Sequence, residues 1–192
     1  MNFLKNKNGY SLVEALVAIA VLLLALVGPI TIASKGIQSS YYAKEQATAV
    51  FLAQEGIEAF ISMRNDAAIA AVADGDLSKS WDWVSSVDAS CFSSNGCNVD
   101  FSSNNPLSTI QSCVNEEDCR LHYDPSDIRA KYSLSSAGGS PSPYIRKIFL
   151  TYDSAPGNNG IVIKSTVSWN ARLFKGDSQN VTLYSSVFNL YE

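Results

Sequence analysis

Few residues in this chain of 192 have the types and spacing for chemistry, and most of those are cysteines. Cys91 and Cys97 bracket CFSSNGC; Cys113 and Cys119 bracket CVNEEDC. Thiols so placed can bind zinc or close disulfides. Zinc sites favour closer pairs such as C-x2-C. An even count in a polar region beyond an apolar segment argues instead for disulfides in an exported compartment. Three pairings are open. Closing the shortest loops costs least entropy and favours Cys91–Cys97 with Cys113–Cys119; strand adjacency could cross them. The single histidine, His122 in RLHYDP, suits a strand surface. The many serines come with no nucleophile elbow, phosphate loop or metal pair. The DGD at 74–76 lacks the spaced carboxylates and distal glutamate of a calcium loop. Glu116, Glu117 and Asp118 read as a solvated loop, and the sequon at Asn180 falls inside an expected strand. No catalytic set, metal site or cofactor is predicted, so the chain is not read as an enzyme. A net charge of -4 gives no sign of a nucleic-acid binder.

The remaining candidate is one carboxylate in an unusual place. Glu14 stands near the start of the apolar helix pattern in KNKNGYSLVEALVAIAVLLLALVGPITIASKG, residues 5–36. Residues 15–34 carry no charge. Twenty residues at about 1.5 Å each span roughly 30 Å, enough to cross a bilayer core. Lys5 and Lys7 precede the run and favour a cytoplasmic N-terminus. A cleaved secretory signal has a shorter apolar core and an A-x-A-like site, which is not clearly placed here. The plain reading is a membrane anchor. An acidic side chain at mid-membrane costs about 2.5–3.5 kcal/mol, less near the edge, and usually has a partner. The positive end of the helix dipole offers Glu14 one favourable setting. It does not account for the residues in front.

Lys5-Asn6-Lys7-Asn8-Gly9, then Tyr10-Ser11-Leu12-Val13-Glu14, then an apolar helix, resembles the processing site of type IV pilins and secretion pseudopilins. The resemblance implies a basic leader, residues 1–9, cut after Gly9 by a prepilin peptidase. It implies methylation of the new N-terminus at Tyr10 and an assembly role for Glu14, the fifth mature residue. Tyr10 replaces the usual phenylalanine and keeps the ring. Cleavage creates an amine that can meet Glu14 of a neighbouring subunit, and two charges pairing in an apolar core recover much of their desolvation cost. Gly28-Pro29 interrupts the pattern, as a passive kink or as the site of melting that the resemblance implies.

Residues 10–34 are thus expected to form a transmembrane and filament-core helix, and 35–66 an amphipathic continuation. Ala47, Val50, Phe51, Ile57, Phe60 and Ile61 fall roughly on one face of that continuation. Helix is expected from about Ser11 to about Asn65, then a small-residue segment at 67–80 with room for a short helix. Residues 67–192 are read as the globular part. WDWVSSVD alternates loosely; NVDF, RLHYD and KYSLSS suggest short strands; GGSPSP (138–143) reads as a loop. YIRKIFLTYD, IVIKSTVSW and NVTLYSSVFNLY alternate clearly, with turns at APGNNG and around Lys175-Gly176-Asp177. They predict an antiparallel meander whose inner face covers the amphipathic helix.

The expected fold is α+β: a long N-terminal helix on a C-terminal antiparallel sheet, stapled by disulfides. The expected function is a structural subunit, minor in kind, of a type IV pilus or pseudopilus. Its implied partners are other such subunits, the peptidase and methyltransferase, an inner-membrane assembly platform and, before assembly, membrane lipid. It would sit as a single-pass membrane protein with an exported domain, then in a surface or periplasm-spanning filament. The alternative is a tethered or filament-tip adhesin using exposed aromatics such as Trp81 and Trp83, which otherwise pack against the helix.

Overall fold

The computed structural model describes residues 9, 11–100, 110–127, 131–134, 139–153, 160–170 and 178–189. The leader residues 1–8, Tyr10, the turn at 155–159 and the turn around Lys175-Gly176-Asp177 lie outside the described residues. The architecture is α+β, with one long helix and a seven-stranded antiparallel sheet. The chain divides into two compact units between Ala43 and Lys44.

Helix α1 runs from Leu12 to Asp74. It passes through AAIAAVAD and ends nine residues beyond the expected Asn65. The alanines favour helix, and the stop comes at Gly75, where φ is +73°. Gly75 N–H donates to Val72 O at 3.2 Å and Asp76 N–H to Ala71 O at 3.0 Å, the paired bonds of a Schellman cap.

The expected alternation of 81–88 is not a strand. A 3-10 turn at Leu77–Trp81, a short helix α2 at Trp83–Ser86 and a second 3-10 turn at Ala89–Phe92 occupy it. Local side-chain bonds favour these turns over a ladder. Asp76 accepts from Ser78 N–H at 3.2 Å and Asp88 from Ser90 N–H at 2.8 Å. The Ser85 hydroxyl donates to Asp82 O at 2.7 Å.

Four short strands follow: β1 (Cys97–Asn98), β2 (Gln111–Ser112), β3 (Arg120–Tyr123) and β4 (Tyr132–Ser133). Then come β5 (Ser140–Tyr152), β6 (Gly160–Asn170) and β7 (Ser178–Phe188), the expected meander, in unbroken antiparallel register. One edge of β5 carries β6; the other carries β3 near its start and β1 at Ile148. Of the expected loop GGSPSP, residues 140–143 are the first part of β5. Its prolines are tolerated because, among the described residues, β6 pairing starts only at Tyr144; Pro141 faces β3 alone, and Pro143 falls where the register with β3 shifts. Cys91 pairs with Cys97 and Cys113 with Cys119, the short-loop pairing. Non-reducing peptide mapping should return these two links and no free thiol; losing either is expected to cost about 2–5 kcal/mol.

Inner residues of the meander pack on the head part of α1. Ile57, Phe60 and Met63 join Trp83, Ile148, Leu150, Ile161 and Ile163 in one cluster. Ala49, Leu52 and Ala53 join Leu121, Tyr144, Val167 and Trp169 in another. The buried face is therefore rotated from the expected one. Ile57 and Phe60 are on it, but Phe51 is 69% exposed, Ala47 is exposed, and Val50 and Ile61 are half-buried. The helix turns its smallest residues to the sheet because they permit the closest approach. A Cβ at Gly56 would lie 2.9 Å from Ile148 Cδ1, 3.0 Å from Ser165 Oγ and 3.2 Å from Arg146 Cδ. Gly56→Ala gains about 1 kcal/mol of helix propensity. Overpacking against three buried neighbours costs about 1–3 kcal/mol. The net expectation is destabilisation, and more for Gly56→Val. A higher urea midpoint for Gly56→Ala than for wild type would show that the contacts relax freely.

Candidate functional site

The N-terminal unit is described by itself. Ala15 N–H donates to Ser11 O at 3.1 Å, so helical bonding begins at Ser11 and Glu14 stands in the first turn. Aligned N–H groups there favour a negative charge. Ser11 and Glu14 also have the S-x-x-E spacing of a capping box. Every described residue from Ser11 to Tyr41 is exposed, including Leu12 and Leu24 at 77%. The helix is long and apolar enough to cross a membrane. Apolar surface on this scale marks contact with lipid or with other protein. Pro29 does not end it: α1 is continuous through Gly28-Pro29. Two residues on, the Thr31 hydroxyl donates to Val27 O at 2.8 Å. Among the described residues, a Cβ added at Gly9 meets no atom within 4 Å, and its φ is not left-handed. The described residues therefore make no demand for glycine at this position.

The second unit, from Lys44, holds a buried cation that sequence reasoning missed. Arg146 is 1% exposed. Its Nε donates to Asn98 Oδ1 at 2.7 Å, Nη2 to Val99 O at 2.7 Å, and Nη1 to both Leu52 O at 3.0 Å and Glu55 Oε2 at 2.7 Å. The side chain thus ties β5, the segment from β1, and α1 together. Leu52 O is the carbonyl to which helical bonding assigns the Gly56 N–H; with no side chain at Gly56, the guanidinium can reach it. Burial lowers the Arg146 pKa from its usual value, and the facing Glu55 carboxylate opposes that shift. The signal in the sequence is a lone arginine in the inward row Tyr144, Arg146, Ile148, Leu150, opposite a helical Glu-Gly pair. Arginine is almost never fully buried unless paired.

The other sequence candidates take bland places. His122 is half-buried in β3, opposite Ser133 and Pro141. Glu117 pairs with Arg120 in an exposed loop, at 2.6 Å to Nε. Hydrogen bonding from Arg120 holds the Glu117 carboxyl below its ordinary range. Trp83 is 3% exposed and belongs to the core, with half-buried Trp81 edge-on at 5.6 Å. The arrangement of the head is one of cohesion, and the arrangement at the N-terminus is one of a bare apolar helix with a carboxylate at its start.

A family model described as the prokaryotic N-terminal methylation motif matches residues 4–28. No curated protein and no solved structure matches the chain. The matched stretch contains Gly9, Tyr10, Glu14 and most of the exposed apolar helix. The chain carries, in its first residues, the methylation motif characteristic of type IV pilins and pseudopilins.

Proposed function

We propose that this chain is a structural subunit of a type IV pilus or pseudopilus, a minor one, that assembles through its N-terminal helix. The observation that carries the proposal is the methylation motif lying on the first part of α1, where every described side chain from Ser11 to Tyr41 is exposed. Such a surface needs lipid before assembly and neighbouring subunits after it. In this reading residues 1–9 are a cytoplasmic leader. Hydrolysis of the Gly9–Tyr10 peptide bond leaves a carboxylate on Gly9 and an ammonium on Tyr10, which is then methylated. Residues 10–34 cross the cytoplasmic membrane once, and the head is exported. That direction suits the head's two disulfides, which persist in oxidising compartments. The partners are the prepilin peptidase and methyltransferase, the assembly platform of the inner membrane, and other pilin-like subunits. Minor status rests on a large, cysteine-rich head.

Cleavage is the step to test first. Glycine at position 9 meets no internal requirement, which supports an external one: a peptidase pocket that admits no side chain. Mass spectrometry of the mature protein should find a chain beginning at methylated Tyr10. Gly9→Val should leave the full-length precursor in the membrane with its disulfides formed. Assembled protein that retains Met1 would overturn the proposal.

A further inference from the structure

Strand β7 closes one side of the sheet, and among the described residues it pairs with β6 alone. Long edge strands are usually blunted by lysine, proline, glycine or a bulge, because unpaired N–H and C=O groups invite another strand. This edge has none of these. Its register with β6 holds without a shift over all eleven residues. From Asn180 to Ser186 it reads NVTLYSS, with no charge, proline or glycine. Its inward Val181 and Leu183 are only half-buried, although both pack against the core. Its outward Tyr184 is 66% exposed.

We propose that this edge pairs with β7 of a second copy of the chain, antiparallel and centred on Leu183. The other outer strands, β2 and β4, are two residues long and cannot supply such a ladder. An uncharged strand meets itself without like-charge repulsion. In the centred register Leu183 faces the partner's Leu183, which extends the cover over both cores. Thr182 faces the partner's Tyr184 on the outer side, and the reverse contact follows by symmetry. The contact is isologous, so it joins two copies and closes. It is therefore distinct from open-ended assembly through α1, and it stands whether or not the filament reading does.

The test uses the full chain in detergent micelles, followed by sedimentation over a wide concentration range. Wild type should show a monomer–dimer equilibrium. Thr182→Lys/Tyr184→Lys sets like charges directly opposite each other, twice, and should weaken the dimer by at least about tenfold. Thr182→Glu/Tyr184→Glu should do the same. Mixing the two variants should restore a heterodimer at low salt, which a mere folding defect in either could not produce. A Glu14→Leu background should leave all four results unchanged. Wild type that stays monomeric, a lysine variant that dimerises undiminished, or a mixture that fails to pair would each overturn the proposal.

Discussion

Arg146→Met is expected to destabilise the head by about 3–5 kcal/mol, through the loss of four hydrogen bonds worth about 1 kcal/mol each from one buried cation. Methionine retains much of the side-chain volume, so packing is the smaller change. What is lost is four hydrogen bonds at once. Asn98 Oδ1, Val99 O and Leu52 O lose a donor, and Glu55 Oε2 loses its cation. Asn98 Oδ1 keeps the Val99 N–H at 2.9 Å and Leu52 O keeps its helical partner, so the loss is chiefly that of the bonds from the charged donor. Against a typical stability of about 5–15 kcal/mol this is a large fraction. The measurement is urea unfolding of the full chain in micelles by tryptophan fluorescence. Trp83 and Trp169 place a fluorophore in each of the two core clusters. Adding Glu55→Gln to Arg146→Met should recover part of the loss, because the stranded carboxylate is neutralised; the shortfall from additivity measures the pair. A single variant within about 0.5 kcal/mol of wild type, the range of ordinary surface changes, would mean that the guanidinium does not hold helix, sheet and β1 segment together.

The same residue shows where the sequence stops being legible. Period-two alternation located β5, β6 and β7 and their order, because those strands have one buried face and pairing register is then strongly specified. The short-loop disulfides followed from loop entropy. The helix face did not follow, because the periodicity was weighted by large apolar residues. The sheet is instead approached by Ala49, Ala53 and Gly56, whose value lies in what they leave out. Arg146 was invisible for a related reason. A charge in a strand reads as solvent-facing until its partners are known, and its partners come from positions 47–48 and 91–94 residues away. The tract at 81–88 read as a weak strand because its hydroxyl and carboxylate bonds are local and leave no periodic trace. By contrast, the methylation motif matched at residues 4–28 was legible in the sequence. Its logic is linear, a basic stretch and a glycine followed at fixed spacing by a charge and an apolar run, and folding adds little to it.

Glu14→Leu should remove the chain from filaments while leaving it in the membrane. The observation behind this expectation is a carboxylate in the first turn of α1, five residues after Gly9, where every residue from Ser11 to Tyr41 is exposed. In the membrane the group sits near one end of the helix, where water and the aligned N–H groups stabilise it. Leucine there is harmless or slightly favourable for insertion, cleavage and folding of the head. In the proposed filament the helix would be surrounded by other apolar helices, and a neighbour's Tyr10 amine would need an anion. Withholding that anion costs about 3–5 kcal/mol, since it leaves a buried cation unpaired. Each 1.4 kcal/mol is about tenfold, so incorporation should fall at least about a hundredfold. The quantity to measure is the ratio of variant in sheared filaments to variant in membranes, relative to wild type. The rival account of Glu14 is local: with Ser11 it has the spacing of a capping box, and its charge suits a helix start. Glu14→Gln separates the two. Glutamine serves as well at that capping position, so a local role predicts normal incorporation. It cannot neutralise an amine, so the pairing role predicts exclusion of Glu14→Gln together with Glu14→Leu. If glutamine assembles as wild type does, the carboxylate is a helix-terminal charge and assembly is driven by the apolar surface alone.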